Sequence, residues 1–195
     1  MPEPEPAVCG LVLGAGGSER LGRPKQLLPY RGGTLLGHVA GVAGECGFAQ
    51  TLVAIGGAAD AVRAGVDLHG AQVVVNEAYG EGCSSSIAAA LGAVREDCEV
   101  LVLLLGDQPG VTPGTVRALL AGRGDAPLAV CRYDDGRGHP IAFGRQLFAD
   151  LASLHGDKGV WKLLDRSEVV EVPLPGPIPL DVDTPEDYQA VLAAA

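Results

Sequence analysis

The sequence predicts an α/β protein, a single-domain three-layer αβα sandwich built around a mostly parallel sheet. Short runs of β-branched residues and leucine alternate with alanine-rich segments of helical length, which is the pattern of repeated βαβ units. The run from residue 99 to residue 105 is continuously apolar after its first residue, as expected for a central strand covered on both faces. The 195 residues suffice for one well-buried domain and are too few for two ordinary ones.

The individual elements follow from the same pattern. The predicted strands are the short apolar runs, which cover residues 7–13, 51–56, 71–76, 99–105 and 127–132. The predicted helices are the longer alanine-rich segments, which cover residues 34–46, 58–65, 84–95, 112–123, 144–154 and 185–194. The acidic, proline-rich residues 1–6 predict a disordered tail, which leaves 7–195 as the domain. Residues 173–179 predict a stiff surface connection before the last helix.

Charge and cysteine content argue against several classes of protein. A net charge of −10 disfavours nucleic acid and anionic membranes as partners, because the summed field repels polyanions. Five scattered cysteines without a Cys-x-x-Cys pair argue against a disulfide scaffold or zinc knuckle and indicate a reducing compartment. The acidic N-terminus does not resemble a signal peptide, and no apolar stretch would span a bilayer. We therefore expect a cytoplasmic protein.

A glycine-rich loop with fixed cations follows the first predicted strand, in the sequence LGAGGSERLGRPK of residues 13–25. Its glycines allow positive φ angles and expose backbone N–H groups to phosphate oxygens, while Arg20 and Lys25 supply positive charge. The loop therefore predicts a nucleotide triphosphate site. Its expected contacts are Leu13, Gly14, Ala15, Gly16, Gly17, Ser18, Arg20 and Lys25.

Two commoner glycine motifs do not fit this loop. A dinucleotide fingerprint that begins at Gly14 needs a third glycine where Glu19 stands. A P-loop that begins at Gly17 needs Lys and then Ser or Thr at positions 23 and 24, which are Arg and Pro. An ordinary strand-to-helix turn remains the structural alternative.

Asp107 directly follows the predicted central strand. A carboxylate at the mouth of a parallel sheet, near a phosphate loop, is suited to hold Mg²⁺ against a triphosphate. The alternative is a turn that caps the helix beginning near Thr112.

A second acidic pair stands near the C-terminus. Asp181 and Asp183 are two residues apart, so on an extended segment their side chains face the same side. We expect Asp183 to complete the metal site, whereas the two interpretations of Asp181 are evenly balanced. Helix capping by Thr184, with Pro185 at the first helical position, also explains this segment.

Two further segments carry candidate contacts. Residues 80–86 begin a predicted helix, and their free N–H groups and hydroxyls could contact a base or ribose. The expected contacts are Gly82, Ser84 and Ser86, although N-capping alone would account for Ser84. Residues 156–159 predict a mobile turn that could present Lys158, Trp161 and Lys162 to a second substrate, and Trp161 could equally be a core residue. His139, in the predicted loop 138–140, fits a structural role as well as a catalytic one.

Together these motifs resemble the molybdenum cofactor cytidylyltransferase family of MobA/MocA-like nucleotidyltransferases. The family pattern L-x-A-G-x-S-x-R-x-G-x-P-K is met by residues 13–25. The later motifs Gly-Asp-Gln-Pro at 106–109, Gly-His-Pro at 138–140, Gly-Asp-x-Gly at 156–159 and Asp-x-Asp-Thr-Pro at 181–185 occur in the family's order. The resemblance implies a Rossmann-like sheet of the nucleotide-diphospho-sugar transferase type. It also implies Mg²⁺-dependent transfer of CMP from CTP to molybdopterin, with release of pyrophosphate.

The resemblance implies roles for individual residues as well. Arg20, Lys25 and Asp107 would be catalytic, and Asp107 and Asp183 would hold the metal. The acceptor would be bound by His139, Asp157, Lys158, Trp161 and Lys162. A molybdoenzyme or its chaperone would be a further partner.

Departures from the family pattern keep other functions open. Position 161 is Trp where relatives often carry Arg, which affects the expected contact with an anionic acceptor. Guanylyl-transferring relatives read L-A-G-G at the loop and C-D-x-P at the metal motif, and this chain has neither. The alternatives are a guanylyl or other NTP transferase, a nicotinamide- or flavin-linked oxidoreductase, and a noncatalytic carrier of the molybdenum cofactor.

Overall fold

A computed structural model describes residues 7–195 as a seven-stranded sheet with helices packed on both faces. The predicted tail, residues 1–6, lies outside the described part. The strands are β1 Ala7–Gly14, β2 Pro29–Tyr30, β3 Gly33–Thr34, β4 Gln50–Ile55, β5 Gln72–Val75, β6 Cys98–Leu105, β7 Leu128–Tyr133, β8 Gly136–Gly144 and β9 Val170–Pro173. The helices are α1 Leu35–Gly44, α2 Ala59–Gly65, α3 Cys83–Leu91, α4 Pro113–Arg123, α5 Phe148–Ala152, α6 Gly159–Arg166 and α7 Pro185–Ala193. None of the helices between residues 7 and 195 is long and apolar enough to cross a membrane.

The large sheet has the strand order β5-β4-β1-β6-β8-β7-β9, and β2 and β3 form a separate small hairpin. β8 is antiparallel to both of its neighbours, and the remaining pairs in the large sheet are parallel. This confirms the predicted mostly parallel α/β fold. The C-terminal ends of β4, β1 and β6 therefore meet at one edge of the sheet, where ligands bind in open α/β folds.

The position of the central strand β6 between two core clusters explains why its sequence is continuously apolar. Val100, Val102 and Leu104 pack into one core cluster with α1, α2 and α4, whereas Leu101 and Leu103 pack into a second with α3, α5 and α6. All five side chains are buried. Burial on both faces removes the polar alternation that a strand with one solvated face would show.

A third, smaller core cluster attaches the C-terminal helix. Tyr188 and Val191 of α7 pack with Leu28, Tyr30 and Leu35 around the β2–β3 hairpin. The Tyr188 hydroxyl also donates a hydrogen bond of 2.6 Å to the carbonyl of Pro29. α7 begins with a capping box between Thr184 and Asp187, with Pro185 at the first helical position, as its sequence predicts.

The sequence-based assignment of β8 is wrong. Residues 138–140 were expected in a loop, and the helix at 144–154 was expected to begin at Gly144. In the structure β8 continues through Gly144, and only a 3₁₀ turn and the short helix α5 follow. The glycines, histidine and proline of β8 give no strand signal of their own. Pairing with β6 and β7 determines the strand, since tertiary context overrides weak local preference.

His139 on β8 is consequently buried rather than exposed in a loop. Its imidazole meets the Trp161 ring edge to face, with 5.5 Å between ring centroids. Burial lowers the pKa of His139 to about 4. The imidazole is therefore neutral at neutral pH and acts as a core side chain.

We expect acid to destabilise the protein in part through His139. In the unfolded chain this histidine takes up a proton near its ordinary pKa of about 6.5, whereas in the folded state it stays neutral down to about pH 4. The free energy of unfolding should therefore fall as pH drops through this window. Urea unfolding at several pH values should show a shallower fall for His139→Gln than for the wild type. Parallel curves would contradict this assignment.

Candidate active site

A cleft of about 380 Å³ opens at the C-terminal ends of β1 and β6. It is lined by residues from the segments 13–17, 25–26, 79–86, 105–107 and 181–183, together with Asp157. These segments include most of the predicted phosphate loop and both predicted metal ligands, whereas Ser18 and Arg20 of the loop do not line the cleft. The cleft lies where the parallel strand order leads one to expect a ligand site.

The close approach of the ends of β1 and β6 depends on two glycines. A Cβ at Gly106 would lie 2.8 Å from the Leu13 carbonyl oxygen, and a Cβ at Gly14 would lie 3.0 Å from the Leu36 side chain. Because neither residue has a side chain, the Gly106 N–H reaches the Leu13 carbonyl at 2.8 Å. This contact places Asp107, the next residue, directly beside the glycine-rich loop.

The glycine-rich loop is held against the 3₁₀ turn Lys25–Leu27 by side chains. Ser18 adopts a left-handed φ of 55°, and its hydroxyl accepts a hydrogen bond of 2.9 Å from the Lys25 N–H. The Gln26 amide donates to the carbonyls of Gly14 and Gly16 at 2.8 and 2.9 Å. The loop therefore has a defined shape set by residues that follow it in sequence.

Four predicted residues meet in one ionic cluster. The Lys25 ammonium contacts the Asp107 carboxylate and lies 2.8 Å from Asp183 Oδ1. Arg20 lies 2.6 Å from the other oxygen of Asp183. The Val182 N–H donates to the Asp107 carbonyl at 3.0 Å, which brings the C-terminal segment to the end of β6. The structure thus joins the cations of the loop to carboxylates more than 80 residues away.

The charges in this cluster shift one another's pKa values. Burial alone would lower the pKa of Lys25, but Asp107 and Asp183 outweigh it, and the pKa is raised. Partial burial would raise the pKa of Asp183, but hydrogen bonds and charge from Lys25 and Arg20 hold it below its usual range. Partial burial raises the pKa of Asp181 to about 6, with a further contribution from the nearby carboxylates of Asp107 and Asp183.

The donor set suits a divalent cation that is shared with a ligand. Among residues 7–195, no three His, Cys, Asp or Glu side chains form a ready metal cluster. Asp107 and Asp183 nevertheless face one ammonium group between them, so a cation is accommodated at this position. Mg²⁺ is commonly held by one or two carboxylates together with substrate phosphates and water. Two carboxylates at the mouth of a phosphate loop fit that arrangement.

The segment predicted to contact a base or ribose lies on the opposite wall of the cleft. Gly82 and Ser86 line the cleft, and the Asn76 amide donates to the Ser86 hydroxyl at 2.9 Å. Ser84 does not line it. Its side chain is buried, and its hydroxyl donates to the Gly156 carbonyl at 2.6 Å. The prediction of Ser84 as a nucleotide contact is therefore corrected, because the neighbouring loop uses its hydroxyl.

The five predicted acceptor-binding residues are not equivalent in the structure. Within the described residues, Asp157 alone among them lines the cleft, and its carboxylate accepts a hydrogen bond of 3.0 Å from the Cys83 N–H. Lys158 and Lys162 are exposed at the start of α6. His139 is buried, and Trp161 packs against the second core cluster, so both support the wall instead of contacting a ligand in the cleft.

Two residues that line the cleft were not singled out from the sequence. Tyr79 is 41% exposed and rests on Gly57, where a Cβ would come within 2.9 Å of the ring. Gln26 lies directly after Lys25 and is almost fully buried. In the sequence, Tyr79 is marked only as an aromatic residue next to the 80–86 segment. Gln26 is marked only as a single amide in the apolar stretch after Lys25. Neither residue type points to a particular chemistry.

Comparison with known proteins identifies the family. The model of the MobA-like NTP transferase domain matches residues 10–172. This chain belongs to that family. The family is one of NTP transferases, in agreement with the resemblance seen in the sequence. The matched region includes the glycine-rich loop and Asp107, whereas Asp181 and Asp183 lie beyond its end.

Similar proteins cover most of the chain. A nicotine blue oxidoreductase from Paenarthrobacter nicotinovorans is 36% identical over 163 residues, which is 79% of each chain. The crystal structure of Rv0371c from Mycobacterium tuberculosis H37Rv is 49% identical with a TM-score of 0.91. The match covers 95% of this chain and 97% of the Rv0371c chain. A structure of Rv0371C from the same organism in complex with manganese is 46% identical with a TM-score of 0.87. That match covers 96% of this chain and 99% of the other.

The ionic cluster predicts opposite effects of two substitutions on metal binding. Lys25→Met removes the cation that competes for Asp107 and Asp183, so Mn²⁺ should bind without nucleotide roughly tenfold more tightly than to the wild type. Asp107→Asn removes a carboxylate and should weaken Mn²⁺ binding by a similar factor. Electron paramagnetic resonance titration of free Mn²⁺ would measure both, with exposed Lys162→Met as the control. Weaker binding by Lys25→Met would contradict the shared cation position.

Proposed function

We propose that this protein is a Mg²⁺-dependent nucleotidyltransferase that transfers CMP from CTP to a molybdopterin-type phosphorylated acceptor and releases pyrophosphate. The proposal is supported chiefly by one observation. In a single cleft the glycine-rich loop and Lys25 meet the carboxylates of Asp107 and Asp183, and the exposed Arg20 pairs with Asp183. Such a site combines groups that bind phosphate with groups that bind a metal.

The reaction requires positioning and charge neutralisation more than covalent chemistry from the protein. The loop N–H groups, Arg20 and Lys25 would bind the triphosphate and stabilise the negative charge that develops on the departing pyrophosphate. Lys25 is well suited to this role because its raised pKa keeps it protonated. On substrate binding, its ammonium would exchange a carboxylate partner for a phosphate oxygen.

The carboxylates of Asp107 and Asp183 would hold the metal ion at the position where the Lys25 ammonium now lies. Asp107 and Asp183 present oxygen ligands, and Asp181 adds negative charge beside them. These three carboxylates exceed the two cations of the cluster, so a polyanionic triphosphate would be repelled without a further cation. Mg²⁺, when bound, supplies that charge and binds phosphate oxygens.

The remaining walls would bind the base and the acceptor. Gly82, Ser86 and the backbone at Gly14 and Ala15 line the cleft and would contact the base. Asp157 and the exposed Lys158 and Lys162 would contact the phosphorylated acceptor, and the two lysines would compensate for Trp161 where relatives often carry Arg. This exposed face is also where a molybdoenzyme or its chaperone would dock.

A second candidate function comes from the 36% identical relative that is named a nicotine blue oxidoreductase. It would place a nicotinamide or flavin in the same cleft. A carrier that binds the molybdenum cofactor without catalysis is a third possibility. One set of measurements separates these functions.

The deciding experiment measures pyrophosphate release by the purified protein from CTP with Mg²⁺ and molybdopterin. Cofactor retention is recorded in parallel as absorbance above about 350 nm, and reduction of a dye with NADH or NADPH is tested. Pyrophosphate release that requires the acceptor supports the transferase. Nicotinamide oxidation without pyrophosphate release would favour the oxidoreductase, and molybdopterin binding without either would favour the carrier.

Arg20→Ala and Lys25→Ala should each lower kcat/KM by about 10²-fold or more, because both act on developing negative charge. Both variants should still fold, and Arg20→Ala should melt like the wild type because Arg20 is largely exposed. Lys25→Ala should melt at a lower temperature, since Lys25 is only 15% exposed and balances two carboxylates. Arg31→Ala is a matched control from the same basic stretch, with its guanidinium over the Tyr30 ring instead of at the cleft. Steady-state kinetics and thermal melting would test this. Unchanged turnover in both variants would refute the assignment of phosphate binding.

CTP should be preferred over GTP as the donor. The loop reads Leu-Gly-Ala-Gly at residues 13–16 and the metal motif reads Gly-Asp-Gln-Pro at residues 106–109, as in the cytidylyl-transferring relatives that the sequence resembles. We expect a purine to leave polar groups at the base site mispaired. Each buried unpaired group costs about 1–3 kcal/mol, so two would give a preference of about 10²-fold or more. Comparison of kcat/KM for the two nucleotides measures the preference. Equal values or a preference for GTP would place the chain among guanylyl transferases.

A further inference from the structure

We propose that Gln26 is a positioning residue that sets the orientation of the peptide groups in the phosphate-binding loop. The inference rests on the proposed function, because it concerns how the same cleft binds a triphosphate. Gln26 has no role in the motifs that the sequence presents. Its side chain is 3% exposed and lies beneath the loop, directly after Lys25.

The contacts of Gln26 are specific to two alternate loop residues. Its Nε2 donates to the carbonyl oxygens of Gly14 and Gly16, at 2.8 and 2.9 Å. The intervening Ala15 carbonyl points elsewhere, within 2.8 Å of the position that a Cβ on Gly56 would occupy. The Gln26 amide therefore holds the carbonyl oxygens of Gly14 and Gly16 on the same side of the loop.

Because peptide groups are planar, the direction of the Gly14 and Gly16 carbonyls also sets the direction of the N–H groups that follow them. In a trans peptide, the carbonyl oxygen and the following N–H point in opposite directions. The carbonyls of Gly14 and Gly16 are turned towards Gln26, so the N–H groups of Ala15 and Gly17 are turned away from it. Both residues line the cleft, as do Gly14, Gly16 and Gln26. Gln26 thereby keeps the carbonyl oxygens, which would repel phosphate, on one side and the donors on the other.

The arrangement carries a cost that a purely apolar residue would avoid. Within the described residues, Oε1 of Gln26 is buried and has no hydrogen-bond partner. Turning the amide over would not relieve it, because Oε1 would then face two carbonyl oxygens. The two donated hydrogen bonds are the contacts that the protein itself makes to this amide, so they determine how the amide is turned beneath the loop.

The test uses two variants of similar size. Gln26→Met fills the same space without donors, and Gln26→Glu replaces the donors by an acceptor that repels both carbonyls. Isothermal titration with tripolyphosphate and Mg²⁺, together with KM and kcat for CTP and GTP, provides the measurements. Gln50→Met is the matched control, because the Gln50 amide also donates to a backbone carbonyl, that of Ala93 at 2.8 Å, but at the opposite end of the sheet.

We expect Gln26→Met to raise the Kd for tripolyphosphate and the KM for both nucleotides by a common factor of about tenfold, with a smaller change in kcat. Gln26→Glu should weaken binding further, and Gln50→Met should leave all three constants unchanged. A common factor for ligands with and without a base locates the effect in the phosphate loop. Lower stability alone would reduce the titration amplitude without changing the Kd.

Folded variants with unchanged Kd and KM would overturn the proposal, because Gln26 would then be only a buried structural residue. Failure of both variants to fold would overturn it as well, by assigning Gln26 to the core and not to the loop. A wild-type protein that binds neither tripolyphosphate nor nucleotide would count against the proposed function instead.

Discussion

The candidate site depends on one ammonium group. Lys25 lies between Asp107, at the end of the central strand, and Asp183, in the segment that leads into the last helix. Without this positive charge, two carboxylates would face each other across a partly buried cleft, which is unfavourable in a medium of low dielectric constant. Under the proposed function, a polyanionic ligand would draw Lys25 away, and the same charge balance would then favour a second cation at this position. Electrostatics thus couples the two ends of the chain to the occupancy of the cleft.

The backbone around this group is shaped by residues that carry no charge. Gly14 and Gly106 allow the strand ends to approach, Ser18 holds its left-handed conformation through a hydrogen bond to Lys25, and Gln26 orients the loop carbonyls. Each contact limits the freedom of the loop before any ligand is present. Because the loop is already ordered, less conformational entropy is lost when a ligand binds.

Much of this arrangement could be predicted from the sequence. β1, β4 and β6 have strong local patterns, and the rule that parallel strands present their C-terminal ends at one edge brings Asp107 to the glycine-rich loop. The spacing of Asp181 and Asp183 predicts that both side chains face the same side, and both residues line the cleft. These features depend on short-range signals, which a single sequence contains.

The errors concern side chains whose roles depend on distant partners. His139 lies in a strand that exists because β6 and β7 pair with it, so its own neighbours in sequence suggested a loop. The hydroxyl of Ser84 is used by the Gly156 carbonyl, 72 residues away, and a serine at the start of a helix gives no sign of that. Gln26 was missed because an amide side chain serves many purposes. Its role appears only when the carbonyls above it are located.

The attachment of α7 to the β2–β3 hairpin fixes the C-terminal segment beside the cleft. Asp183 immediately precedes this helix, which is fixed by Tyr188 and Val191 and by the hydrogen bond to Pro29. The anchor belongs to a small core separate from the two that hold the sheet. Under the proposed function, the position of a metal ligand would therefore depend on this small core and not on the two clusters that hold the main sheet. A substitution in this core would then change metal binding while every residue that lines the cleft stays the same.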